Sequence, residues 1–343
     1  MILDLRTMYI ALGATCLIVA AALLTFQTRQ FRRDGSLQWA IGWALYGGFL
    51  VLIGLRGIIG DFLSIVIANT FFTASYSLLY AAVLQFRGRS RNPGVFFVPV
   101  AATFIFFWYF SAHVDNLSYR IIFISLLSLL QISAIVVALL RNVPVSERRS
   151  YRLTGFAFIL MALVMVNRLL EAFTLPFGQL SILYATAFRN AGNIATLAAV
   201  VLSSIGFVLM VRQRAEEEVR RKEEDLREAQ RITHIGSWYW DTSTDATTGS
   251  DELLRIYGLD PTREGMPAFK EQDGRLYPHE SWQKVNAGVQ ETLKTGVGSN
   301  STWRRSVRGP RYGLRRAVKW YGMPTAGSLA CVARFRISPS ASR

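Results

Sequence analysis

Arg168 and Glu171 stand three residues apart inside the apolar run from Phe156 to Phe173. On a helix that spacing puts a guanidinium and a carboxylate on one face. Charges inside an apolar span are costly unless they pair or face a cavity, so the two mark a candidate polar site within a membrane. Asn167 beside them and Asn69 in a separate apolar run add neutral polar groups to it. The plain alternative sets Arg168 and Glu171 near the outer interface, where long side chains reach water and most of the cost disappears.

Other chemistry-bearing residues are few: the histidines are His113, His234 and His279, and the cysteines Cys16 and Cys331. His113, next to Asp115 but one, reads as a surface histidine, and His234 as part of a strand start. His279-Glu280 has the outline of a kinase phosphoacceptor box, but Trp282 stands where a basic residue belongs and no proline follows nearby. No glycine-rich nucleotide loop and no Gly-Gly-Asp/Glu-Glu-Phe signature occurs. Cys16 and Cys331 are too far apart in the chain and too few to suggest a disulfide framework, and no His/Cys/Asp/Glu group has metal-ligand spacing. The expectation is no catalytic residue, no metal and no cofactor.

The elements that carry these residues are long apolar runs. With 51% hydrophobic and only 18% charged residues, the chain has the balance of a protein whose solvent is lipid. Runs near 7–26, 38–55, 62–85, 94–112, 118–140, 153–173 and 190–211 each approach the ~20 residues that cross a bilayer as helix. Alternate loops carry the arginines: Arg29, Arg32 and Arg33, then Arg87, Arg89 and Arg91, then Arg141, Arg148, Arg149 and Arg152. The opposite side has Arg6, Arg56, Arg120 and Arg189 alone. Basic loops stay in the cytoplasm, so the pattern predicts seven crossings with the N-terminus outside and the C-terminus inside. The first run starts at Thr7 without a basic n-region or a small-residue cleavage site and reads as a retained helix. Gly42, Gly47 and Gly48 in the second run suit close helix packing. The net charge of +15 lies largely in the inner loops, so topology explains it and nucleic acid is not an expected partner.

From Arg212 to about Arg231 the text turns charged, without Gly or Pro. Glu216 with Arg220, Glu217 with Arg221, Glu218 with Lys222 and Glu223 with Arg227 form acidic-first i,i+4 pairs that support a helix. Val219, Leu226 and Ala229 form a narrow heptad-like seam, which predicts a coiled-coil connector and a homodimer; a solvated linker helix is the alternative. Beyond it, Ile235–Asp241 reads as a strand and Asp251–Gly258 as a short helix closed by glycine. Trp282, Val285, Val289 and Leu293 share one face of a longer helix that stops at Gly296, giving a small α+β domain.

Two runs carry a resemblance. Glu228-Ala-Gln-Arg-Ile-Thr-His-Ile-Gly-Ser-Trp-Tyr-Trp-Asp241 and Ser250-Asp-Glu-Leu-Leu-Arg-Ile-Tyr-Gly-Leu-Asp-Pro261 resemble the opening of a PAS domain of the type that precedes diguanylate cyclase or histidine kinase modules. Asp4-Leu-Arg-Thr7, Leu55-Arg-Gly57 and Asp61-Phe-Leu-Ser-Ile-Val-Ile-Ala-Asn69 resemble the multi-span input regions of bacterial sensor proteins of the same kind. The resemblance implies a single antiparallel sheet with helices packed on it, and a core built on Trp238, Trp240 and Trp282. It also implies a place in the bacterial cytoplasmic membrane and a small-molecule or membrane signal.

The last 47 residues hold ten Arg or Lys and no Asp or Glu, and the PAS pattern stops at Gly296. Read one nucleotide earlier, codons permitted for Tyr312 to Ser342 spell Trp-Val near the start, then Arg-Asp-Ala-Asp-Gly-Arg-Val, and finally Asp-Ile-Thr-Glu-Arg-Lys. That is the end a PAS domain lacks here. A reading-frame slip between Gly296 and Tyr312 is therefore expected, with 297–343 an irregular, poorly packed tail; a basic tail that binds anionic lipid is the alternative.

The fold expected is mainly α: a seven-helix membrane bundle over 1–212, a connector helix over 213–233, an incomplete PAS-like domain over 234–296 and the tail over 297–343. The function expected is membrane signal input without its output enzyme, whose parent is a diguanylate cyclase or a sensor histidine kinase. A transporter or channel, which the Arg168/Glu171 pair would suit, is the rival class.

Overall fold

The structure, a computed structural model, describes residues 4–25, 34–89, 93–113, 116–141, 143, 148–174, 187–233, 235–295, 300–304, 315–325 and 328–338. The chain divides into two compact units, Met1–Glu216 and Glu217–Arg343.

The first unit is helical. Its elements are α1 (Leu5–Thr25), α2 (Ser36–Gly54), a π-helical stretch (Phe62–Ile67) leading into α3 (Ala68–Phe86), α4 (Pro93–Ala112), α5 (Leu117–Leu140) and α6 (Arg148–Thr174). The last, α7 (Ala187–Thr233), belongs to this unit over its first part. Among the described residues six helices are long and apolar enough to cross a membrane, and α4 contributes a shorter apolar stretch, Phe96–Ala112. An apolar run shielded from water can satisfy its backbone only within itself, which is why every one of these runs is helix.

Small residues set how closely the helices approach. A Cβ on Gly13 of α1 would lie 2.9 Å from the carbonyl oxygen of Gly47 on α2, and one on Gly47 would lie 2.8 Å from that of Gly13. Gly42 gives α3 the same access, since its Cβ would fall 3.2 Å from the carbonyl oxygen of Ser75. Around these contacts aromatic rings fill the interior. Trp39 stacks on Phe207 at 4.1 Å between ring centres and meets Phe158 edge-on at 5.9 Å, tying α2 to α6 and α7.

The second unit takes the rest of α7 and an antiparallel sheet with helices on it. Its strands are β1 (Ile235–Trp240), β2 (Thr247–Gly249), β3 (Asn300–Arg304), β4 (Arg315–Thr325) and β5 (Ser328–Ser338), in the order β2-β1-β5-β4-β3. Between β2 and β3 come α8 (Asp251–Tyr257), a 3-10 turn (Phe269–Gln272) and α9 (His279–Thr295). Ser250 caps α8, its hydroxyl accepting from the Leu253 amide at 3.4 Å and from the Ser237 amide of β1 at 3.1 Å. Gly258, at φ 79°, ends it in the left-handed conformation that glycine adopts freely. Gly236 lets α8 lie on β1, because a Cβ there would sit 2.6 Å from the Cβ of Leu253.

Within 297–343, where an irregular tail is expected, the described residues form β3, β4 and β5. β4 and β5 form a hairpin that turns between Thr325 and Ser328, and β5 pairs along β1 from Ile235↔Arg336 to Trp238↔Ala333. β3, β4 and β5 supply three of the five strands among the described residues. The physical reason lies in the residue order: Ala333, Arg334, Phe335, Arg336 and Ile337 alternate apolar and charged with the period of a strand. The lack of acids concealed that period.

Candidate functional site

The beginnings of α1, α3, α5 and α7 and the ends of α2 and α6 gather at one end of the helical unit. Their residues line a cavity of about 120 Å3. For scale, a cavity of ~150 Å3 admits benzene.

Polar residues of α6 and α7 are among those that line it. Glu171, with 11% of its side chain exposed, accepts a hydrogen bond from Arg189 Nε at 3.0 Å. Arg189 is itself 2% exposed. Arg168 NH1 stands 3.9 Å from the same carboxylate oxygen, which is an ion pair but beyond hydrogen-bond reach. Asn167 Nδ2 approaches the other oxygen, Oε1, at 3.4 Å. The carboxylate is thus spent first on Arg189, and Arg168 makes no hydrogen bond among the described residues. Arg168, Arg189, Arg56 and Arg120 all line the cavity, and among the described residues no Asp or Glu does. Asn193 lines it too, with a buried Nδ2 that has no hydrogen-bond partner among the described residues.

The apolar wall includes Phe49, Phe72, Phe107, Ile65 and Ile121. Asn69 reaches this wall from the first turn of α3, just after the π-helical stretch, which displaces the ordinary i to i−4 ladder. Its Nδ2 donates to the carbonyl of Ile65 at 2.7 Å, and Thr70 Oγ1 donates to that of Val66 at 2.8 Å. So Asn69 lies at the cavity while part of its hydrogen-bonding capacity supports the distorted turn.

Of the residues singled out from sequence, the structure brings Arg168, Asn69 and Asn167 to one cavity, with Glu171 holding the arginines from beside it. The pairing differs from the i,i+3 expectation: Arg189, from the next helix, is the nearer partner of Glu171. Arg189, Arg56 and Arg120 were legible only as outer-side charges that fix orientation. The signal that finds them is their number on the side where basic residues are scarce.

The three tryptophans lie together in the second unit. Trp238 and Trp240 are buried on β1; Phe269 stacks on Trp240 at 4.1 Å and meets Trp282 of α9 at 4.7 Å. Val219, Leu226 and Ala229 are exposed on α7 within the single chain. Of the four i,i+4 pairs expected there, Glu217–Arg221 (3.4 Å) and Glu218–Lys222 (2.7 Å) are present, while Glu216 pairs backward with Arg212 at 2.8 Å. His279 Nδ1 meets Asp273 at 2.9 Å on the surface, and His113 stacks on Tyr109 at the end of α4. His234 lies outside the described residues. Among the described residues no three His, Cys, Asp or Glu side chains are grouped to hold a metal. None of the family models, curated proteins or solved structures compared with the chain matches it.

Proposed function

We propose that this protein is a membrane-bound signal sensor, in which the cavity receives the signal and α7 passes it to a PAS-like domain. The observation that carries the reading is the continuity of α7. One helix of 47 residues supplies Arg189, Gly192, Asn193 and Thr196 to the cavity at its start and ends at Thr233, two residues before β1. A displacement of its cavity end has no loop in which to dissipate. The antiparallel sheet, with α8 lying on β1 and three tryptophans in the core beside it, supports the PAS resemblance of residues 228–261. The acidic-basic text of α7 beyond Arg212 and the exposed Val219 and Leu226 support pairing of two copies along the connector. The outputs this reading suits are a diguanylate cyclase or a histidine kinase in the parent architecture, and the membrane is the bacterial cytoplasmic one with the cavity facing outward.

The test is disulfide crosslinking of full-length protein in membranes, with single cysteines at Val219, Leu226 or Glu224. Val219 and Leu226 should crosslink and Glu224 should not. Introducing Arg189→Gln at the cavity should change the rate at Leu226. Equal crosslinking at all three positions, or a rate indifferent to Arg189, sinks the reading; uptake of solute into proteoliposomes would favour a transporter instead.

A further inference from the structure

We infer that the cavity is a binding site for a small organic anion, an oxyacid group carried on a compact apolar body. The inference rests on the cavity being the input site proposed above, and supplies its ligand class. Three observations converge on it. Among the described residues the lining contains four arginines and no acid, a wall better suited to an anion than to a cation. The Glu171 carboxylate is committed to Arg189 at 3.0 Å, whereas Arg168 lies 3.9 Å away with its guanidinium donors unused among the described residues. Asn193 adds a second buried donor, Nδ2, that has no partner there.

Guanidinium and amide N–H groups are donors, and what satisfies two such donors on one cavity beside a positive charge is an anionic oxygen. Arg168 is suited to it because its planar fork can grip both oxygens of a carboxylate. In the same lining, Phe72, Phe107 and Ile65 present rings and aliphatic carbon, which reward an apolar body and leave a bare inorganic anion poorly accommodated. The volume of about 120 Å3 limits that body to roughly one ring. A free organic acid and the anionic headgroup of a lipid share this chemistry, and the experiment separates them.

Full-length protein in nanodiscs of zwitterionic lipid is titrated calorimetrically with benzoate, with its neutral isostere benzamide and with the cation benzylamine. Benzoate should bind at least about tenfold more tightly than benzamide, the lower end of what a charge-assisted hydrogen bond supplies, and benzylamine should not bind. Arg168→Gln should remove that preference and Arg168→Lys should restore part of it. Asn193→Ala should weaken benzoate by a smaller factor. If nanodiscs containing phosphatidylglycerol lose the benzoate signal by competition, the natural anion is a lipid headgroup; if they retain it, the anion is a free acid. Benzamide binding as well as benzoate in the unaltered protein, or no binding of either, overturns the assignment without reliance on any variant. Benzoate binding that leaves Leu226 crosslinking unchanged keeps the anion site and overturns the sensor reading instead.

Discussion

Glu171→Gln separates charge from shape at the cavity. At an effective dielectric of ~20, opposite unit charges at the observed 3.0 and 3.9 Å attract by ~5.5 and ~4 kcal/mol, before desolvation is deducted. Desolvation offsets much of this, and removing one partner of a buried pair costs ~3–5 kcal/mol net. The glutamine keeps the volume and an oxygen for Arg189 Nε, so the lower end, ~3 kcal/mol, is expected. Domains are stable by only ~5–15 kcal/mol, so this is a large share of the total. At ~2–4 °C per kcal/mol for a unit of this size, the midpoint should fall by roughly 6–12 °C. The assay is the fraction of protein remaining monodisperse after heating in detergent. Arg189→Gln in the same background should cost less than the two changes summed, by ~1 kcal/mol or more, because the two groups interact directly. Strict additivity would refute the idea that Glu171 and Arg189 act as a unit. The same Glu171→Gln protein, with a more positive cavity, should bind benzoate more tightly than the unaltered one, and weaker binding would count against the anion site.

Gly236→Ala should destabilise the second unit by ~1–3 kcal/mol through overpacking against Leu253, read as faster protease cleavage after Arg231 in membranes; unchanged cleavage would mean that α8 does not lie tightly on β1. For orientation, a reporter active only in the cytoplasm should work when fused after Arg33, Arg91, Arg149 or Arg231 and fail after Asp61 or Asn116. Activity at Asn116 would mean that α4 does not cross. The frame-slip proposal is decided by nucleotides: the codons of Tyr312 to Ser342, shifted by one, should read Trp-Val and then Arg-Asp-Ala-Asp-Gly, and any other text ends it.

The helices were legible because an apolar run near bilayer length has one backbone solution. The expected run 118–140 is α5, Leu117–Leu140, to within a residue at its start. The cavity was half legible. Arg168, Glu171 and Asn167 announce themselves as polar text inside one apolar run, whereas Arg189, Arg56 and Arg120 sit at helix ends, where a cation needs no explanation. Only three-dimensional assembly brings those ends together. The π-helical stretch at Phe62–Ile67 has no sequence signature, since its apolar residues suit an ordinary helix equally well. In the tail two signals oppose each other: ten cations argue against a fold, while the two-residue alternation from Ala333 to Ile337 suits the strand β5.

That outcome leaves a cost in the register of the sheet, and the cost can be measured. Lys319 stands opposite Arg334 between β4 and β5, and Arg304 opposite Arg315 between β3 and β4. Like charges directly across an antiparallel pair destabilise it by roughly 0.2–1 kcal/mol, and opposite charges stabilise it by a similar amount. Lys319→Glu changes one sign at the first of these pairs, so it should stabilise the second unit by about 0.5–1.5 kcal/mol. Arg316→Glu changes the net charge equally but stands in register with Ile337 and Trp303, which carry no charge. Protection against protease in membranes should therefore rise for Lys319→Glu more than for Arg316→Glu, and the difference should shrink as salt is raised toward 1 M, where screening reaches only ~3 Å. Equal gains from the two would place the benefit in relieved overall repulsion rather than in this pairing, and no gain from either would mean that β4 and β5 do not meet in the register described.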